Sequence, residues 1–303
     1  MKLEHGAATD VGKRREKNED SWLIVDDDSL FIVADGMGGH KSGEVASRLA
    51  VESIRGFFRQ TAPDQDNTWP HVAMDPETNL DDYNSCRLVS AIQFAHRRIA
   101  YEVQQQPDLA GMGTTVVCVL FADEKAYIAH VGDSRCYCLS GKHLWQVTSD
   151  HTLANHMRER FEELNEEQEQ RLAGLQHVVV RALGGNDTSD ARVDLAVLHP
   201  GSGDVFMLCT DGLTGELDDV AIKESLEKSD SPQQICDHLV TAAVDNGGRD
   251  NVTVCSIRVL EVDESLRAQI SGEATMEALQ NMDDTGEETI ESEDLIDAED
   301  FKE

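Results

Sequence analysis

The chain has 303 residues, with 59 Asp plus Glu against 26 Lys plus Arg and a formal net charge of −33. This length is enough for one large domain or two small ones with a hydrophobic core. The negative charge argues against nucleic acid or an anionic membrane surface as the main partner, because both are polyanions. An apolar fraction of 40% excludes wholesale disorder.

The sequence indicates a cytoplasmic protein. No apolar run approaches the roughly 18 to 20 residues that a membrane span needs, and no apolar stretch follows the first residues as it would in a signal peptide. The seven Cys form no Cys-x-x-Cys pair, and several stand in apolar segments such as 115–121. We therefore expect reduced, structural thiols.

Residues 1–262 are predicted to be a mixture of strands and helices. Apolar segments predict strands at 22–25, 30–34, 114–121, 125–131, 134–139, 192–197, 205–210 and 251–259. Apolar residues at helical spacing predict helices at 43–58, 87–103 and about 232–244, the last capped by Ser231. Strands and helices that do not alternate regularly are typical of an α+β fold with antiparallel sheets.

The connections between these elements carry two further predictions. The links inside 114–139 are too short for a helix, so the three strands there are expected to pair antiparallel with one another. Residues 61–85 are expected to form a loop. Residues 151–174 are rich in charge and are expected to be a solvated helical excursion.

The last part of the chain differs in composition from the rest. Residues 263–303 contain 15 acidic residues and two basic ones, Arg267 and Lys302. Such a segment cannot bury enough apolar surface to offset its ordering entropy. We therefore expect a folded domain over 1–262 and a largely disordered acidic tail over 263–303.

Four aspartates stand at the ends of predicted strands, among Gly or small polar residues: Asp35, Asp133, Asp211 and Asp250. Any one of them alone is more typical of an ordinary turn. If they lie together, they stay ionised only when a cation compensates them. Such an oxygen site suits Mg²⁺ or Mn²⁺, and Gly36 would let a backbone carbonyl approach the ion as a further ligand.

A basic segment precedes the first predicted strand. Residues 13–17 contain four Lys or Arg and are followed by Glu19 and Asp20. An arginine beside a carboxylate site can hold two phosphate oxygens in its planar fork. Taken alone, the segment is more simply a solvated basic loop.

Eight short motifs, in order over about residues 4–260, together resemble the bacterial form of the PPM family, the metal-dependent protein phosphatases often called PP2C phosphatases. The matching segments are Thr9-Asp10-x-Gly12-x-x-Arg15-x-x-Asn18-Glu19-Asp20, Val33-Ala34-Asp35-Gly36-Met37-Gly38-Gly39, Gly111-Met112-Gly113-Thr114-Thr115, Gly132-Asp133-Ser134-Arg135, Thr148-x-Asp150-His151, Arg181-Ala182-Leu183-Gly184, Cys209-Thr210-Asp211-Gly212-Leu213 and Arg249-Asp250-Asn251. Each motif is weak alone. Eight in family order are a strong signal.

The resemblance implies a four-layer α/β/β/α sandwich, in which two antiparallel sheets are flanked by helices and metals lie at one sheet edge. It implies that Asp35 bridges two Mn²⁺ or Mg²⁺ ions and that Asp211 and Asp250 complete the shell of one. The carbonyl of Gly36 would bind the other ion. Asp133 would serve, with Asp211, a third and weaker ion.

The resemblance also implies roles around the metals. Glu19 and Asp20 would hold the waters of one ion, Arg15 would bind the substrate phosphate, and Asn251 would support the site. Residues from about 151 to 175 would form a flap beside the cleft, a name kept below for that segment.

The implied activity is hydrolysis of phosphoserine and phosphothreonine in proteins by direct attack of a metal-bridging water, with no phosphoenzyme. The enzyme would act as a monomer and oppose a Ser/Thr kinase. Eukaryotic relatives have a His after the bridging Asp-Gly, where this chain has Met37; His40, a metal-bound water or no general acid at all remain open. A catalytically silent binding module and a phosphatase of small phosphate esters are the alternative functions.

Overall fold

The computed structural model describes residues 1–38, 42–62, 82–160, 165–185, 191–229 and 231–263. The strands in this part of the chain are β1 Lys2–Asp10, β2 Asp20–Val25, β3 Leu30–Met37, β4 Gly113–Thr114, β5 Val116–Ala122, β6 Lys125–Val131, β7 Arg135–Ser140, β8 His143–Gln146, β9 Leu183–Gly184, β10 Asp194–Leu198, β11 Val205–Cys209 and β12 Val252–Glu261. The α-helices are α1 Ser42–Gln60, α2 Tyr83–Gln105, α3 Leu153–Arg160, α4 Glu166–Ala173, α5 Asp211–Thr214, α6 Asp219–Lys228 and α7 Pro232–Asn246.

The strands form two antiparallel sheets. The first has the order β1-β12-β11-β7-β8, and the second has the order β10-β6-β5-β3-β4-β9, with β2 paired to β3. Every ladder between named strands is antiparallel. The predicted α+β class with antiparallel sheets is confirmed.

Alternation along β11 shows how the first sheet is covered. Met207 and Cys209 pack in one apolar core with Ile235 and Leu239 of α7. Phe206, between them in sequence, points to the opposite face, where its ring lies 5.2 Å from that of Phe121 on β5. Since successive strand side chains point to opposite faces, β11 binds the helices on one side and the second sheet on the other.

The second sheet repeats this arrangement in mirror order. Ile32 of β3 shares a core with Ile54 of α1 and Ile92 of α2. Phe31 faces the other sheet, with its ring 5.4 Å from that of His5 on β1. Helices therefore cover the outer face of each sheet, and aromatic rings fill the space between the sheets, which gives the four layers that the resemblance implies.

One prediction about strand pairing is wrong. β5 and β6 form the expected hairpin, with Asp123 and Glu124 both at positive φ in its two-residue turn. β7, however, pairs with β11 in the other sheet and not with β6. The chain crosses between the sheets at Gly132, whose φ of 110° is a conformation that glycine adopts readily.

Other differences concern element boundaries and elements that the pattern did not predict. α2 begins at Tyr83, so the loop expected over 61–85 ends earlier, and its central part lies outside the described residues. β1 was not predicted, because its sequence KLEHGAATD is poor in β-branched and aromatic residues; it forms by pairing along β12. The helices expected within 151–174 are present as α3 and α4.

All seven cysteines are free and buried, as expected for structural thiols. In the described ranges, no helix is both long enough and apolar enough to cross a membrane. The tail from 264 to 303 lies outside the described residues, so its disorder stays a prediction.

Candidate metal and phosphate site

The β2–β3 ladder sets two of the predicted acids side by side. Asp20 is paired with Asp35 in the antiparallel register. The backbone N–H of Asp35 donates to Thr115 Oγ1 at 3.0 Å, and that of Gly36 donates to the carbonyl of Glu19 at 3.2 Å. The position of Asp35 is therefore fixed from both neighbouring strands.

The other three aspartates come from segments that follow or precede strands. Asp211 is the first residue of α5, directly after β11 and Thr210. Asp133 stands in the crossing turn between β6 and β7, and its side chain is buried. Asp250 precedes β12. Asp35 lies close enough to Asp20, Asp211, Asp133 and Asp250 for each of these carboxylates to raise its pKa.

The pKa values of the buried carboxyl groups in this cluster are raised, because their ionised forms lack a compensating positive charge. Burial raises the pKa of Asp20 to about 7, with further upward contributions from Asp211 and Asp250. The pKa of Asp133 is raised to about 7, chiefly by burial and secondly by the charge of Asp211. The pKa of Asp35 is raised well above its usual value, again chiefly by burial. Burying several like charges without compensation is costly, so the cluster favours a positive ion.

Two geometric features fit a divalent ion at this place. Asp20 Oδ1 and Asp211 Oδ1 are buried without a hydrogen-bond partner. Glu19 Oε2 and the carbonyl oxygen of Gly36 lie 2.5 Å and 2.7 Å from the point where a Cβ on Gly43 would stand. Carboxylate and carbonyl oxygens bordering one small space are the donor set of Mg²⁺ and Mn²⁺.

Asn251 ties the N-terminal loop to this cluster. Its Oδ1 accepts from the backbone N–H of Glu19 at 2.8 Å. Its Nδ2 donates to the carbonyls of Val11 and Lys17, both at 2.9 Å. The side chain is buried, with 4% exposure, so one residue holds three backbone groups of the segment that contains Arg15.

Arg15 reaches the cluster from its open side. Its Nη2 donates to Asp250 Oδ2 at 2.6 Å, and half of its side chain is exposed. The hydrogen bond that Arg15 donates to Asp250 is the main reason that the pKa of Arg15 is raised. A guanidinium that is always charged and partly open to solvent is suited to bind a phosphate group.

The hydroxyl groups that orient the acids are not predicted by the sequence motifs. Thr253 Oγ1 and Thr210 Oγ1 donate to Asp20 Oδ2 at 2.6 Å and 3.0 Å. Thr115 Oγ1, which accepts from the backbone of Asp35, also bonds Ser134 Oγ at 2.7 Å, next to Asp133. Thr210, Thr115 and Ser134 stand inside quoted motifs, whereas Thr253 is marked only by its inward position two residues after Asn251.

The base of the flap is fastened to the turn that holds Asp133. His151 Nδ1 accepts from the backbone N–H of Gly132 at 2.9 Å, and the backbone N–H of His151 donates to the carbonyl of Gly132 at 3.0 Å. Thr152 forms an isolated β-bridge with Val179. The two ends of the segment that contains α3 and α4 are therefore joined beside the candidate site.

Donor atoms of His130, His151 and Asp194 lie within 4.8 Å of one another, a second group that could be considered for a metal. The two imidazoles are stacked, with centroids 4.5 Å apart and planes 21° from parallel, so their in-plane lone pairs do not converge. Asp194 is paired with Arg181 and with His151 Nε2. Although burial favours a higher value, these partners hold the pKa of Asp194 well below its usual range. Hydrogen bonds and an ion pair account for this cluster.

The position that follows Asp35-Gly36 is occupied by Met37, at the end of β3 and opposite Gly113. A thioether carries no proton to donate. His40, which the sequence offered as a substitute, lies outside the described residues. The general acid therefore stays open.

The profile of the family described as "Protein phosphatase 2C" matches residues 12–250. The serine/threonine phosphatase stp of Listeria monocytogenes serovar 1/2a is 32% identical over 253 residues, which cover 81% of this chain and 92% of that protein. Among solved structures, serine/threonine phosphatase Stp1 from Staphylococcus aureus has a TM-score of 0.71 at 30% identity, covering 86% of this chain and 96% of that one. The catalytic domain of the phosphatase PstP in complex with two manganese ions has a TM-score of 0.68 at 31% identity, covering 86% and 99%.

The fold and the sequence agreement define one class of protein: the chain belongs to the protein phosphatase 2C family. It is a homologue of the bacterial serine/threonine protein phosphatases, and its substrates are of the phosphoprotein class.

Proposed function

We propose that this chain is a metal-dependent phosphatase that removes phosphate from phosphoserine and phosphothreonine in proteins, in opposition to a bacterial Ser/Thr kinase. When bound, two ions or three, Mn²⁺ or Mg²⁺, would supply a water activated for direct attack on phosphorus and positive charge for the phosphate oxygens. The observation that carries the proposal is the convergence of buried carboxylates with raised pKa and unpartnered oxygens in a chain of this family.

Asp35 is the proposed shared ligand, because it lies among the other acids. Asp20, Asp211, Asp133 and Asp250 all raise its pKa, and Asp211 also forms a side-chain hydrogen bond with it. Asp211 and Asp250 would complete one ion's shell. Asp133, with Asp211, would serve the third ion.

On the other side of Asp35, the proposed donors are the carbonyl of Gly36 and the side chains of Glu19 and Asp20. The support is geometric: Gly36 O and Glu19 Oε2 border the same small space, and Asp20 Oδ1 lacks a partner. Thr253 and Thr210 hold the other oxygen of Asp20, which leaves Oδ1 free to accept from a bound water.

Direct hydrolysis is favoured over a covalent phosphoenzyme by the state of the side chains next to Asp211. Burial raises the pKa of the Cys209 thiol to about 12, so it is not a thiolate near neutral pH. The hydroxyl of Thr210 donates to Asp20 and accepts from the backbone N–H of Thr253. Neither side chain is available as a nucleophile.

The substrate phosphate is proposed to meet Arg15. In the protein alone this guanidinium is neutralised by Asp250. A metal ion bound by Asp250 would compensate the charge of that carboxylate. Arg15 could then form charge-assisted hydrogen bonds with phosphate oxygens. The buried Asn251 keeps the loop in place for that contact.

The test is phosphate release from a phosphothreonine protein, measured with Mn²⁺, without it, and after addition of chelator. Wild-type protein is expected to release phosphate only with the ion. Asp35→Asn and Asp211→Asn should lose the activity while circular dichroism shows an intact fold. Asp27→Asn, at an exposed position away from the cluster, is the matched control and should behave like wild type.

Each alternative has its own outcome in this assay. No release at any Mn²⁺ concentration would favour a catalytically silent binding module. Faster hydrolysis of small phosphate esters than of phosphoproteins, compared as kcat/KM, would favour the small-ester enzyme. Full activity in Asp35→Asn would exclude the proposed site.

A further inference from the structure

The basic segment at residues 13–17 contains more positive charge than phosphate binding by Arg15 requires. It stands in a chain of net charge −33. All five of its residues are exposed. It is also held firmly beside the candidate site, since Lys13 N donates to the carbonyl of Gly248 at 2.7 Å and Asn251 Nδ2 donates to the carbonyl of Lys17.

The charges of this segment divide into neutralised and available ones. Lys13 pairs with Asp245 at 3.8 Å, and Arg15 pairs with Asp250 at 2.6 Å. Arg14 and Lys17 have no ion pair with any residue in the described part of the chain. Glu16, which lies between them in sequence, is the opposing charge within the segment.

Arg249, which precedes Asp250 in sequence, is also neutralised by an ion pair. Arg249 donates to Glu216 Oε1 at 2.9 Å and to the carbonyl of Gly215. The cations considered at this edge of the site are the four basic residues of the segment and Arg249. Among them, Arg14 and Lys17 are the two without an ion pair in the described part of the chain. Both are close in sequence to the residue proposed to bind phosphate.

We propose that Arg14 and Lys17 form a docking surface for acidic residues beside the phosphorylated side chain, so that the enzyme prefers phosphopeptides with Asp or Glu flanks. This inference rests on the proposed function, because it takes Arg15 as the phosphate contact. The ligand class is an acidic phosphopeptide. The chemistry is charge pairing between carboxylates and two exposed cations.

Local charge outweighs the net charge of the chain in this comparison. At physiological salt, charges more than about 8 Å away are largely screened at the surface. A peptide residue next to the bound phosphate therefore senses Arg14, Lys17 and Glu16 more than the distant acids. Each exposed pair contributes little, so the two together should give a preference of about fivefold in kcat/KM.

The experiment compares three phosphothreonine peptides that share one core and carry Glu, Ala or Lys on both flanks, with full-length protein in Mn²⁺. The readout is the ratio of kcat/KM for the Glu peptide over the Lys peptide. We expect about five in the wild type at physiological ionic strength, carried by KM, and a fall toward one as salt is raised to about 1 M.

Variants should move that ratio in opposite directions. R14E with K17E is expected to invert it in favour of the Lys peptide, which loss of folding cannot produce. Glu16→Gln is expected to increase it. The double reversal K125E with K142E, at the first residue of β6 and in the turn between β7 and β8, should leave it unchanged.

Failure of the docking surface and failure of the proposed function give different results. If an active enzyme shows a ratio near one, or prefers the Lys peptide, the docking surface is refuted while the proposed function stands. An unchanged ratio in R14E with K17E refutes it equally. If the wild type hydrolyses no peptide with Mn²⁺, the proposed function fails and the docking surface fails with it.

Discussion

Replacing Asn251 by Ala should cost far more stability than removing one side-chain amide at the surface. The amide makes three hydrogen bonds of 2.8 to 2.9 Å to backbone groups of Glu19, Val11 and Lys17, and it is buried. At about 1 kcal/mol for each bond, we expect the free energy of unfolding to fall by about 3 kcal/mol. Asn246→Ala is the control, because it removes one bond of 3.2 Å at an exposed position.

The assay is urea unfolding followed by intrinsic fluorescence, with chelator present so that ion binding does not contribute. Asn246→Ala should lose less than about 1 kcal/mol. A loss below about 1 kcal/mol in Asn251→Ala as well would refute the view that this residue clamps the N-terminal loop onto β12. The same variant should also raise KM for a phosphopeptide, since Arg15 belongs to the released loop.

Four other substitutions have defined outcomes. In chelator, burial raises the pKa of Asp133 from 3.8 to about 7. Its contribution to the free energy of unfolding is therefore present at low pH and is lost as pH rises from about 4 through 7. Asp133→Asn should flatten that decline in urea unfolding measured between pH 5 and 8. A Cβ on Gly212 would overlap the carbonyl oxygen of Asn251, so Gly212→Ala should yield little folded protein in a solubility and circular-dichroism assay. Gly56→Ala, in open space on α1, should instead gain about 0.5 to 1 kcal/mol in thermal unfolding. His151→Ala removes bonds to Gly132 and Asp194 and should increase proteolytic cleavage within the flap, whereas equal cleavage rates would show that these bonds do not fasten it.

The sequence predicts the acids of the site because their local patterns repeat. Asp35 and Asp211 each follow an apolar segment and precede a glycine, and both turn out to lie with Asp20 and Asp133 in one cluster. The apolar segments form the strands, so the residues that directly follow them lie at the edge of the sheet. The acids that follow them are therefore brought together by the fold.

Other features depend on partners that no local pattern shows. β1 has weak strand propensity, and its pairing with β12 spans almost the whole chain. At Gly132 the chain changes from one sheet to the other. The residues there, Gly132-Asp133-Ser134, are equally typical of a tight hairpin turn, so the sequence does not distinguish the two. The contact of Thr253 with Asp20 joins residues 233 positions apart. Each of these is decided by tertiary packing.

The most direct test of the central claim is calorimetric titration of Mn²⁺ into metal-free wild type, Asp35→Asn and Asp27→Asn, with thermal unfolding measured alongside. We expect at least two ions to be bound by the wild type and by Asp27→Asn, with a stability gain of about 2.7 kcal/mol for each ion at one hundred times its dissociation constant. Asp35→Asn should lose this binding and the gain. Ion binding by Asp35→Asn that equals the wild type in number and affinity would contradict the claim that these aspartates hold the metal.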